Sequence, residues 1–298
     1  MVTAVGFAGA TANAVEVLVP WEHYGTSDPI EIEPGDVGIL AWNGSIGNTW
    51  TPPDGWDLAA PEVIGSTGSH RSRVYVRALT GDEADEPIVL TASEINKMMG
   101  MLIVLRDVDT SAIIDAINFR DEDTTGTSHA NPSITTVADD APVFVIIHER
   151  LTNSSTNYGA PSPGYIKRLQ PVPVGGGGSV SGAVADDGLA VSRPGGTLVT
   201  PPPWTGGEST NNVITWTFSV TPRTSQDESG TGSISAAAAV TGGGTKGGAG
   251  TGSITAAAAL SGDGEADLPP SGTGSITAAA ALSGTGVKAA AGIGAAAA

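Results

Sequence analysis

Short apolar runs separated by turn residues set the rhythm of the chain up to residue 223. Residues 4–8 and 15–19 predict strands, and the turn Pro34-Gly35-Asp36 precedes a buried strand at 37–42. A loop follows at 43–57, rich in Trp, Asn and Gly. Residues 72–79 set Val74, Val76 and Ala78 on one face and Arg73, Tyr75 and Arg77 on the other, the alternation of a half-buried strand with one polar face. An acidic hairpin-like loop is expected at 81–86, a returning strand at 88–91, one helical turn at 93–99, and a strand buried on both faces at 101–105. Residues 113–119, 134–137, 143–147 and 165–169 continue the series. Residues 175–178 predict a flexible glycine bend, and 183–191 a hairpin turning at Asp187-Gly188. The last clear strand is 213–220, where Val213, Thr215, Thr217 and Ser219 alternate with Ile214, Trp216, Phe218 and Val220.

Ten to twelve closely spaced strands with no long helix predict an all-β fold, an antiparallel β-sandwich of jelly-roll-like character. The head domain is expected to span residues 1–224, ending near Arg223. A different kind of sequence fills 225–298. GTGSISAAAAVTG stands at 230–242, and GTGSITAAAALSG at 250–262 and again at 272–284. Phe218 is the last aromatic residue of the chain. Fixing one residue costs about 1–2 kcal/mol of backbone entropy, and an alanine methyl returns at most about 0.8 kcal/mol. One copy therefore does not order itself. An extended tail is expected that packs on another chain, as a homo-oligomer (a trimer by analogy with fibres) or docked in a larger particle. A two-turn helix and a flexible linker are the alternatives.

Composition narrows the role. Gly 42 and Pro 20 in 298 residues favour loops and turns. The net charge of −18 argues against binding nucleic acid or an anionic membrane. No cysteine is present, so disulfides and thiolate chemistry are excluded. The first charge is Glu16, no basic segment precedes an apolar run, and no apolar stretch approaches the roughly 20 residues of a membrane helix, so neither a secretory leader nor membrane insertion is expected.

The residues that carry chemistry are scattered. His23, His70, His129 and His148 stand far apart, and Thr152 occupies the place where a zinc-protease helix after His148-Glu149 needs its second histidine. No G-x-S-x-G elbow exists. The run from Gly242 to Gly247 fits G-x-G-x-x-G only formally, inside low-complexity sequence. Asp82/Glu83 and Asp121/Glu122/Asp123 are acid clusters in loop-like stretches. Solvated charge is the plain reading, with a glycosidase pair or a Ca²⁺ loop as alternatives. No catalytic residue, metal or cofactor is expected. Trp42 and Trp216 lie on strands and are assigned to the core, and Trp56 beneath its Pro-Pro-Asp-Gly turn. Trp50 and Trp204 sit in Pro/Gly/Thr loops, where exposed indoles offer stacking faces to sugar rings; the alternative is that each pins its loop to the core.

Thr51-Pro52-Pro53-Asp54-Gly55-Trp56, followed by RVYVRA at 73–78, resembles a pattern of bacteriophage virion sandwich domains. Leu105-Arg106-Asp107-Val108-Asp109 resembles the RGVD-like end of a later strand in them, with Asp107 in place of Gly. The alanine-rich repeat is similar to C-terminal repeats on minor tail proteins of phages infecting actinobacteria. The resemblance implies a non-enzymatic virion structural protein displayed on the particle surface, with other virion proteins and a host cell-surface glycan as partners. A capsid decoration or head fibre is the alternative within that class; a secreted carbohydrate-binding or carbohydrate-active sandwich protein is the one outside it.

Overall fold

The computed structural model describes residues 1–47, 49–83, 86–151, 157–173, 178–189, 192–210 and 212–223. The chain divides into two units, Met1–Gly232 and Ser233–Ala298. The repeats at 230–284 and the expected tail 225–298 lie outside the described residues, as do 175–177 of the glycine bend and 190–191 of the expected hairpin.

The described residues form strands and no α-helix. The first half of the chain builds one antiparallel sheet. Its main strands are β1 (Thr3–Val19), β2 (Val37–Ser45), β6 (His70–Ala78) and β7 (Ile88–Arg106), with the short β3 (Trp50–Thr51), β4 (Asp57–Leu58) and β5 (Val63–Ile64). Their order is β1-β7-β2-β6-β4, with β3 paired to β7 and β5 to β6. The second half builds a five-stranded sheet from β8 (Ile114–Glu122), β11 (Val143–Leu151), β12 (Ile166–Leu169), β13 (Ser179–Asp186) and β16 (Val213–Val220), ordered β12-β13-β11-β16-β8. Two short ribbons complete the set: β9 (Gly126–His129) with β15 (Trp204–Thr210), and β10 (Ile134–Thr135) with β14 (Leu198–Val199).

The two large sheets share one plan. In each, the first long strand lies beside the last, the last beside the second, and the second beside the third. In each, an extra strand from the second connection adds outside the third. A jelly roll interleaves the strands of its two sheets along the chain; here each sheet is completed by its own half before the other begins. The arrangement is all-β and antiparallel, consistent with a β-sandwich, and differs from a jelly roll in that connectivity.

Apolar side chains form three layers. The middle one lies between the sheets, with Ile39, Val74 and Ile103 from the first meeting Phe144, Trp216 and Phe218 from the second. A second covers the outer face of the first sheet, where Leu40, Tyr75 and Leu102 lie under Trp21, Trp50 and Trp56. A third covers the outer face of the second sheet, where Val145, Ile147 and Ala185 lie under Tyr158 and Trp204. Both faces of the central strands are therefore dry, and every residue of β13 and β16 is buried.

Several expected elements change for this reason. The polar face assigned to residues 72–79 is covered rather than open to solvent, with Tyr75 1 % exposed and Arg73 and Arg77 half-buried. The polar positions of β16 are buried too, and two of them are bonded: Thr215 Oγ1 donates to Ala130 O (2.8 Å), and Ser219 Oγ donates to Asp115 Oδ2 on the neighbouring strand β8 (2.7 Å). The runs 4–8 and 15–19 join into one strand through the small residues between them, paired along β7 with a bulge at Ala14/Glu16. Residues 93–99 are strand rather than helix. Asn96 stands in for a ladder partner, accepting from Ser45 N and donating to Ser45 O, each at 3.0 Å. Residues 183–186 belong to β13, flanked by β11 and β12, so Asp187-Gly188 ends a central strand instead of turning a hairpin. Asp107, where the resemblance has Gly, takes φ 63°, the left-handed region that favours glycine.

Candidate functional site

The covering layer on the first sheet decides the fate of the tryptophans. Trp50 is 3 % exposed. One face stacks on Trp42 with ring centroids 4.2 Å apart and planes 11° from parallel. The Arg71 and Arg73 guanidinium carbons lie 5.2 and 5.4 Å from its ring centroid, and Glu62 holds both arginines. Trp204 is fully buried. It pairs with His129 across the β15–β9 ribbon and meets Tyr158 edge-on at 6.3 Å. Of the two readings of Trp50 and Trp204, exposed stacking face or pin, the first is corrected because neither indole is exposed, and the second holds: each pins its loop onto a sheet, since a sheet with apolar side chains on its outer face needs a lid.

The acid clusters separate as well. Asp121 accepts from Ser66 N (2.6 Å), whereas Glu122 turns to the other side of β8 to bind His129 Nδ1 and Ala130 N, both at 2.7 Å. These carboxylates fasten loops, and the residues 121–123 do not converge on a shared centre. Among the described residues no group of three or more His, Asp or Glu is placed to hold a metal ion.

One cluster links the two sheets. His148 of β11 faces inward, and its Nδ1 lies 2.6 Å from Ser72 Oγ of β6. Trp216 Nε1 donates to the same hydroxyl oxygen (2.7 Å). The Ser72 hydroxyl, one donor with two acceptor lone pairs, therefore joins an indole of β16 and an imidazole of β11 to β6. Gly182 makes the room, since a Cβ there would lie 3.1 Å from His148 Cδ2 and 3.0 Å from Met101 Cε. Burial, then the neighbouring His70, lowers the His148 pKa to about 3. Burial, then the Arg150 charge, lowers that of His70 to about 4. Both imidazoles and Ser72 are fully enclosed, so the Ser–His contact is a joint between sheets with no route for a substrate.

A groove of about 640 Å³ lies on the outer side of the first sheet. It lies where three covering segments meet: the loop entering at Trp21, the Pro52-Pro53-Asp54 turn, and residues 80–83 with 86–88. The turn is closed by Trp56 N donating to Pro53 O (3.3 Å), with Gly55 at φ 77°. Trp56 inserts its six-membered ring over Gly38, where a Cβ would come within 2.6 Å of Cη2. Trp21 is fixed by its Nε1, which donates to Glu86 O (2.8 Å). The two indoles are 5 % and 7 % exposed and floor the groove with their edges.

The polar rim is asymmetric. Arg77, 30 % exposed, lies 3.4 Å from Glu83. Burial pushes the Glu83 pKa up, but hydrogen bonds from Thr80 N (2.8 Å), Thr80 Oγ1 (2.9 Å) and Gly81 N (2.9 Å) outweigh it, and the group rests below the ordinary glutamate value. Glu83 is thus a fixed anchor for Arg77. Asp54, Asp82 and Glu86 stand exposed around it. The acid pair Asp82/Glu83 was legible in the sequence; its meeting with Trp21, Trp56 and Arg77 was not. Comparison of the chain with protein-family models, curated proteins and solved structures gives no match.

Proposed function

We propose that this chain is a structural protein of a bacteriophage particle, a minor tail protein displayed at the virion surface with an assembly or adhesion role rather than catalytic turnover. The observation that carries the reading is the pairing of two unlike parts in one chain. The head spends its aromatic residues on three packed layers, while the near-identical repeats at 230–242, 250–262 and 272–284 contain none and carry only two apolar side chains larger than alanine each. A head that folds from its own contacts, joined to a segment suited to packing on copies of itself or on other virion proteins, suits a displayed and repeated part. Antibody raised against the full chain and imaged on purified particles tests this. Label on the tail supports the proposal, label spread over the capsid replaces it with a decoration role, and particles without label or immunoreactive protein overturn it.

A further inference from the structure

The groove beside Arg77 has the size of a small-ligand site, since such sites enclose roughly 300–1,000 Å³. Its chemistry narrows the ligand. Four carboxylates line it, those of Asp54, Asp82, Glu83 and Glu86, against the one guanidinium of Arg77. An anionic ligand meets a net negative rim on a head that is itself strongly acidic, and is repelled. The carboxylates of Asp54, Asp82 and Glu86 have no hydrogen-bond partner among the described residues and can only accept, while Arg77 can only donate. A hydroxyl does both, so a run of neighbouring hydroxyls satisfies a rim in which acceptors surround a fixed donor. Between these polar groups the walls are the rings of Pro52, Pro53 and Pro87. They suit the C–H faces of a pyranose without requiring an exposed indole face.

We infer that this groove binds an uncharged hexopyranose polymer, with Arg77 donating to ring hydroxyls and the exposed carboxylates accepting from them. The assignment gives the adhesive part of the proposed role its ligand class and rests on that reading for its biological setting. Its test is separate, because polysaccharide binding is measured on the purified chain and particle labelling on the phage.

The full chain is titrated at physiological salt with glucan, mannan and galactan as neutral probes, polygalacturonate as the anionic probe and poly-lysine as the cationic one. Tryptophan fluorescence and calorimetry serve as readouts. At least one neutral polymer is expected to bind, with polygalacturonate at least tenfold weaker. Arg77→Met should weaken the neutral polymer about tenfold per folded molecule while far-UV circular dichroism keeps the wild-type β signature; the melt falls somewhat, because the buried Glu83 carboxylate loses its counter-charge. Asp54→Asn with Asp82→Asn should weaken the neutral polymer and narrow the gap to polygalacturonate. Preference for poly-lysine would assign the groove to a basic polypeptide and overturn the inference. So would a failure of all three neutral polymers, or neutral binding that neither variant moves. If the chain proves to be no virion component yet binds mannan through Arg77, the setting fails and the site stands.

Discussion

Acidification should loosen the joint between the two sheets, and the size of the effect follows from the His148–Ser72–Trp216 cluster. His148 and His70 have folded pKa values of about 3 and about 4, below the unfolded value of about 6.5. The unfolded chain therefore binds protons first as the pH falls. Stability from keeping these imidazoles neutral is present above about pH 6.5 and is lost progressively toward the folded values. At about pH 5 each histidine has given up roughly 2 kcal/mol, about 4 kcal/mol for the pair. That is a large share of a typical total of about 5–15 kcal/mol. For a domain of this size it lowers the melting temperature by roughly 8–16 °C. The Arg150 charge, which sits beside His70 through its bond to Ser69 O, is already part of the His70 shift, and Glu149 points to the opposite side of β11 toward Tyr158. One term opposes it, because protonation also relieves the self-repulsion of a chain with net charge −18. The decisive comparison is therefore between the wild type and His70→Gln/His148→Gln, melted by calorimetry at about pH 7.5 and about pH 5. The double variant should start less stable and lose about 4 kcal/mol less on acidification. If it does not fold, His70→Gln alone should recover about half of that difference. Equal losses in wild type and variant would refute the reasoning.

Trp50→Ala removes one half of the Trp42 stack and the seat of two guanidinium groups; it should cost about 3–5 kcal/mol in a denaturant melt, and polysaccharide binding per folded molecule should not change. Gly100→Ala would drive a Cβ into Val19 and to 2.8 Å from Leu90 Cδ1, an overpacking cost of about 1–3 kcal/mol by the same measurement. Asp107→Val places a β-branched residue at φ 63° and should destabilise by about 1–2 kcal/mol, whereas Asp107→Gly should stay within about 1 kcal/mol of wild type. In sedimentation, the full chain is expected to run as an oligomer and a version stopped at Arg223 as a monomer; two monomers would remove the assembly role of the repeats.

How far the sequence reaches can be argued from particular residues. Alternation and apolar runs located most strands, because a side chain that must be dry every second position writes itself into the chain. The same rule misled wherever both faces are dry. Tyr75 looked like a solvent position, yet it is covered by Trp21, Trp50 and Trp56, which no local pattern around it reveals. The same limit applies to Trp50 and Trp204. An indole in a Pro/Gly loop leaves a ligand face and a pin equally open to local pattern, but an open sheet face with Leu40 or Val145 on it must be roofed, and a loop that roofs it needs large apolar side chains. In a chain of this kind a loop tryptophan marks the lid, and a binding surface is to be sought where lid segments fail to meet. The groove lies at such a seam. Trp21 and Trp56 belong to the roof of the first sheet, Arg77 to the end of β6, and Glu83 to the turn that follows it. Only the register that lays β6 along one side of β2 and β7 along the other brings them together, so the candidate site is a consequence of how the sheet is covered, and no linear motif carries it.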